Sequence, residues 1–143
     1  RLHPSVKEKL LQTKEITINN DKMVLNIALS YGGKDEIIRA VKEIIQDNKK
    51  GKIDINDINK ETFNNYLYTS GMPDPDLLIR TSGEYRISNF LLWQMAYTEL
   101  YFTSVLWPDF TKNDLMKAIA SYQKRERRFG MTSEQLKEKN ISS

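Results

Sequence analysis

The 143-residue sequence contains no cysteine and only one histidine, His3. Disulfides and cysteine-ligated metals are thereby excluded, and one imidazole cannot build a histidine zinc site. Any metal held by such a chain must be a hard ion taken by oxygen. No run of eighteen apolar residues occurs, so no membrane-spanning helix is expected. The opening Arg1-Leu2-His3-Pro4 lacks both an initiator Met and the apolar stretch of a secretory signal, which leads to the expectation of a preceding segment and a cytoplasmic location. No repeat, low-complexity tract or flexible linker divides the chain, and a single domain over residues 1–143 is expected.

At 39% hydrophobic and 29% charged residues, the composition is that of one soluble domain, or a piece of one, able to bury a single core. The net charge is only +3, but Lys124, Arg125, Arg127 and Arg128 fall in one short run. Such a cluster suits phosphate, anionic lipid or nucleic acid, or it faces solvent at the end of a helix whose dipole favours cations. The acidic residues spread along the rest of the chain argue against nucleic acid as the partner.

Pro4 and Ser5 open a predicted helix carrying Val6, Leu10 and Leu11, and Asn19-Asn20-Asp21 turns the chain. The nearly continuous apolar run Met23 to Leu29, interrupted by Asn26, predicts a strand buried on both faces of a parallel sheet. After Gly32-Gly33, Asp35 and Glu36 suit the first turn of a helix whose apolar positions are Ile37, Ile38, Val41, Ile44 and Ile45, ending near Gly51. A second helical stretch carries Phe63, Tyr66 and Leu67 and stops at the Gly71 to Pro75 turn. Leu77-Leu78-Ile79 predicts a short strand. The block Phe90 to Trp107 predicts a short helix and then a strand around 100–105. Thr111 with Asp114 resembles a capping box opening a last helix on Leu115, Ile119 and Tyr122 that Gly130 can close. Strands alternating with helices predict an α/β class: a layered fold on a parallel sheet, with helices on both faces and fewer strands than usual.

Ligands of open α/β sheets bind beyond the carboxyl ends of the strands, where Arg80, Arg86 and Ser88 would fall. Two guanidinium forks and a hydroxyl suit a diphosphate, although the same arginines could simply pair with Glu84 or Asp76. Glu99 sits among apolar residues in Tyr97-Thr98-Glu99-Leu100 and must find a metal, a cation or a proton: a hard metal would fit a diphosphate substrate, but the residues alone favour a structural arginine as its partner. Gly32-Gly33 either admits a phosphate at a helix N-terminus or makes a tight structural turn.

Three segments carry a specific resemblance: Asn26 through Tyr31-Gly32-Gly33-Lys34 to Ile37; Asp76 through Arg80-Thr-Ser-Gly83-Glu84-Tyr-Arg86-Ile87-Ser88-Asn89 to Gln94; and Ala96-Tyr97 through Glu99 to Trp107-Pro108-Asp109-Phe110. With Arg125 to Gly130 they span nearly the whole chain, and the sequence resembles the undecaprenyl diphosphate synthases and their cis-prenyltransferase relatives. The resemblance implies the C-terminal part of that fold. It implies that Arg80, Arg86, Ile87 and Ser88 hold the diphosphate of isopentenyl diphosphate, and that Glu99 contributes to Mg2+ binding. It further implies that Arg128 and Gly130 reach the active site of the other subunit of a homodimer, with an allylic diphosphate as second substrate. Asn26 and the Tyr-Gly-Gly turn would brace the site, and Glu84 would organise the arginine loop. A long polyprenyl product would keep such an enzyme at the membrane face.

The departures are as specific. The family opens with a segment containing a catalytic Asp and a Gly-Asn-Gly-Arg loop for the allylic diphosphate, and nothing like it is present here. Lys34 stands where the family often has Arg, which keeps the charge and loses the fork. The chain by itself is therefore expected to be inactive. A non-catalytic subunit lending the same residues to a partner is the alternative.

Overall fold

The computed structural model describes residues 3–126. The chain divides into two compact units, Arg1–Tyr31 and Gly32–Ser143.

In the first unit, Pro4 pre-sets the backbone for helix α1, Pro4–Thr17. The Thr17 hydroxyl donates to the Thr13 carbonyl at 2.8 Å in its last turn. The segment 23–29, predicted as a strand, forms none. A run apolar on both faces needs a strand on each side to take its backbone N–H and C=O groups, and no described strand pairs with it. Met23, Val24 and Leu25 are left 79%, 77% and 76% exposed. Together with Leu10, Thr13 and Ile18 they line an apolar groove within this unit.

The second unit opens with α2, Gly33–Lys49, with Asp35 and Glu36 in the positive first turn as predicted. Gly51, at φ +69°, follows its end. The buried stripe is Gly33, Glu36, Ala40 and Ile44. Ile38, Val41 and Ile45, predicted as part of the apolar face, form the adjacent i, i+3, i+7 stripe and stay exposed. One α-helix presents about a third of its circumference to a core, and five isoleucine and valine positions overfill that arc.

The next predicted helix shrinks to α3, Lys60–Asn64, capped by the Asn59 side-chain oxygen on the Thr62 N–H at 2.9 Å. Tyr66 and Leu67 continue in tighter i→i−3 turns, and Leu67 is buried. Strands β1, Leu77–Arg80, and β2, Glu99–Phe102, form a two-stranded parallel sheet in the register Leu77↔Glu99 to Arg80↔Phe102. Parallel neighbours need a crossover, and residues 81–98 supply it. The short helix expected within it is a series of turns, because Asn89 at φ +63° and Leu91 at φ +42° break any right-handed run.

Helix α4, Lys112–Gln123, packs on β2 and buries Ala118. The Asp114 carboxylate accepts from the Thr111 N–H at 3.1 Å and from its hydroxyl at 2.7 Å. The helix ends seven residues before Gly130, the predicted terminus, because the Arg125 N–H turns back to the Tyr122 carbonyl while its side chain is drawn onto β2. Gly130 itself lies outside the described residues. The second unit is thus an α/β arrangement on a parallel sheet.

Candidate functional site

Arg80 is the last residue of β1 and half-buried; its Nε is sealed from solvent and has no hydrogen-bond partner among the described residues. The crossover leaves this carboxyl end and is fixed at once to the neighbouring strand. The Ser82 N–H donates to the Val105 carbonyl at 2.8 Å, and the Gly83 N–H to the Thr103 carbonyl at 2.9 Å. These two bonds hold Ser82 and Gly83 in successive left-handed conformations, φ +67° and +68°. Arg86 and Ser88 follow on the same loop, both exposed, with Ile87 half-buried between them. Arg86 is ion-paired with Glu84, so the carboxylate expected to organise the loop touches the guanidinium directly. Tyr85 lies against Phe102, ring centroids 5.3 Å apart, and ties the loop to the end of β2.

The loop's far end is anchored on α2. The Asn89 carbonyl accepts from the Gly33 N–H at 2.7 Å, and its side-chain oxygen accepts from the Lys34 N–H at 2.9 Å. Two of the helix's first N–H groups are therefore occupied by protein, and of the two readings of Gly32-Gly33 the tight structural turn is the observed one. A turn further along α2, Glu36 is 1% exposed and accepts from the Tyr68 N–H at 2.7 Å and the Gln94 amide at 3.2 Å. The Gln94 nitrogen also donates to the Thr69 hydroxyl at 2.9 Å.

Glu99 begins β2 and sits opposite Leu77, so the register places it at the other end of the sheet from Arg80, about 10 Å along the strands. Its carboxylate accepts from Arg125 at 2.8 Å, and the same guanidinium nitrogen reaches the Leu100 carbonyl at 2.9 Å. No group of three or more metal-ligating side chains exists among the described residues. Mg2+ on a diphosphate, however, needs only one or two carboxylates beside phosphate and water oxygens. Glu99 has a second carboxylate oxygen that takes no hydrogen bond from the described residues, so it fits as one ligand but not as a site. Arg128 and Gly130 lie outside the described residues.

The chain that carries this arginine-bearing crossover is similar to known proteins over most of its length. The family model for undecaprenyl diphosphate synthases matches residues 1–130. This chain belongs to the cis-prenyltransferase family. An isoprenyl transferase of Clostridium perfringens is 57% identical over 124 residues, 87% of this chain and 49% of that protein. A geranylgeranyl-diphosphate-specific tritrans,polycis-undecaprenyl-diphosphate synthase of Thermoplasma volcanium is 53% identical over 125 residues, 87% of this chain and 48% of that protein. The crystal structure of lavandulyl diphosphate synthase from Lavandula x intermedia, in complex with dimethylallyl diphosphate, superposes with a TM-score of 0.85 at 39% identity, covering 91% of this chain and 56% of that one. The chain spans about half the length of the curated relatives it matches.

Sequence reasoning placed Arg80, Arg86 and Ser88 together at a strand tip; the structure has Arg80 as the last residue of β1 and Arg86 and Ser88 on the loop that follows. That reasoning gave no role to Asn89 or Arg125. For Asn89 a signal existed: asparagine combines tolerance of the left-handed region with a side-chain acceptor, the two properties this position uses. Arg125 had been counted only as a member of the basic run.

Proposed function

We propose that this chain supplies the isopentenyl-diphosphate half of a cis-prenyltransferase active site, in an enzyme that condenses isopentenyl diphosphate onto an allylic diphosphate to build a polyprenyl diphosphate. The observation that carries this reading is the loop at the carboxyl end of β1. It presents Arg86 and Ser88 to solvent on a backbone fixed at both ends, a few residues after an Arg80 whose Nε has no hydrogen-bond partner among the described residues. Arginines at such a place grip phosphate oxygens through paired N–H groups, and the Ser88 hydroxyl adds a single donor. Ile87 provides apolar contact between them. The ion pair with Glu84 engages one terminal nitrogen of Arg86 and keeps the guanidinium oriented, leaving its other N–H groups for the substrate.

The reaction brings two diphosphates together, and their repulsion must be offset by fixed positive charge in a partly desolvated site. Glu99, at the other end of the sheet from Arg80, would hold Mg2+ on that side, where the ion when bound would neutralise diphosphate charge and help the allylic diphosphate depart. Arg128 and Gly130 complete the site of a second subunit in a homodimer. No described helix is long and apolar enough to cross a membrane; a long polyprenyl product would hold the enzyme at a membrane face.

The test is Arg86→Ala in the full-length enzyme. Loss of a charge-assisted bond predicts an isopentenyl diphosphate KM raised roughly ten- to a hundredfold with lower turnover. Unchanged kinetics would remove Arg86 from this role. A non-catalytic subunit lending the same residues to a partner is distinguished by co-purification with a larger homologue and by activity that arises only in the mixture.

A further inference from the structure

We infer that Asn89 is a positioning residue for the diphosphate loop: it locks Ser88 and Arg86 in place by capping the N-terminus of α2 with both its backbone and its side chain. The inference rests on the diphosphate reading of that loop. Ser88 and Asn89 are consecutive left-handed residues, φ +49° and +63°, a conformation that L-residues hold only where something external fixes it. Here the fixing contacts are the 2.7 Å bond from the Gly33 N–H to the Asn89 carbonyl and the 2.9 Å bond from the Lys34 N–H to its side-chain oxygen.

The partner surface is shaped for this contact. A Cβ at Gly32 would come within 2.9 Å of the Asn89 side-chain nitrogen, and one at Gly33 within 3.1 Å of the Asn89 carbonyl oxygen and 3.0 Å of the Leu92 backbone nitrogen. Both glycines therefore make room for the crossover, and Asn89 takes the helix N–H groups that a bound anion would otherwise compete for. At its other end the loop is held by the Ser82 and Gly83 bonds to residues 105 and 103. Losing the Asn89 side-chain bond leaves the stretch from Arg86 to Ser88 held at the start of α2 by the single backbone bond from Gly33 instead of by two bonds. Its hydroxyl and guanidinium would then have to be ordered when substrate binds.

The experiment uses the full-length enzyme with Asn89→Gly, which accepts the positive φ and keeps the backbone carbonyl bond while deleting the side-chain bond. The isopentenyl diphosphate KM should rise roughly five- to tenfold, the scale of one hydrogen bond, with the allylic KM unchanged. Asn89→Asp retains the acceptor, now as a carboxylate at a helix N-terminus, and should restore the KM to within about threefold of wild type. Thermal unfolding of both variants is measured alongside. A lowered melting temperature with an unchanged isopentenyl KM overturns the inference and leaves Asn89 a brace only. Equal losses in both KM values overturn it as well. Arg86→Ala, assayed in parallel, reports separately on the diphosphate reading: if Arg86 alters the isopentenyl KM and Asn89→Gly does not, only the positioning role falls.

Discussion

Replacing Glu36 by alanine would strip the acceptor from two interior donors, the Tyr68 N–H and the Gln94 amide, at a position 1% exposed. Hydrogen bonds to a charged group contribute about 1.5–3 kcal/mol each, and donors left dry cost their desolvation in addition. A loss of about 3–5 kcal/mol is expected, a large share of the roughly 5–15 kcal/mol that stabilises a typical domain. Glu36→Gln should behave differently. The substituted amide oxygen can still take the Tyr68 N–H, but the new NH2 would face the Gln94 NH2. Gln94 has an escape, because its own oxygen is buried without a partner. Turning that amide over puts the oxygen where the nitrogen was, to accept from the introduced NH2 and from the Thr69 hydroxyl, which now donates instead of accepting. The glutamine variant should therefore lose only about 1 kcal/mol, the difference between a charged and a neutral acceptor. Urea unfolding measures both, with the midpoint carrying the effect and the slope unchanged. A glutamine variant as unstable as the alanine one would refute the reasoning, since the charge itself rather than the acceptor geometry would then be what the interior requires.

Two further outcomes concern α4. Hydrogen bonds from the Thr111 hydroxyl and from Lys117 hold the Asp114 carboxyl down to about 2, from an ordinary 3.8. A carboxyl so lowered stabilises the fold above its ordinary value, and the stabilisation is lost as pH falls from 3.8 through about 2. The stability gap between wild type and Asp114→Asn should accordingly be constant near neutral pH and close across that acid window; a gap independent of pH would contradict the cap. At the other end of the helix, a double-mutant cycle with Glu99→Gln and Arg125→Ala should return a coupling of about 1 kcal/mol, since the pair is neither exposed nor deeply buried, at 26% and 33% side-chain exposure. A coupling of zero would mean that the pair does not tie the end of α4 to β2.

Elements whose cause is local were readable from the residues. Pro4 at the start of α1, the acidic first turn of α2 and the Thr111–Asp114 cap each depend on neighbours within four positions, and each is where the sequence put it. Features whose cause lies far along the chain were not. The run 23–29 has the composition of an inner strand, but a strand exists only with partners, and composition does not reveal where the partners are. Similarly, the helix expected after Phe90 gives way to turns because the crossover must meet α2 through Asn89, a contact between residues 55 positions apart. The place of the arginine loop was legible because its arginines follow a strand. That Glu99 takes an arginine was legible from its apolar setting, but which arginine was not, because Arg125 approaches from 26 residues downstream.

The close fit of Asn89 on Gly32 and Gly33 also bears on how such a sequence can change. A side chain at Gly32 would meet the Asn89 side chain, and one at Gly33 would meet the backbone of the crossover at Asn89 and Leu92. Gly33 is thus held by the crossover backbone whatever stands at 89, whereas positions 32 and 89 meet side chain to side chain and drift in concert. A substitution at one becomes tolerable after a compensating change at the other, more than fifty residues away, so among descendants of this chain the two should be inherited as a single unit.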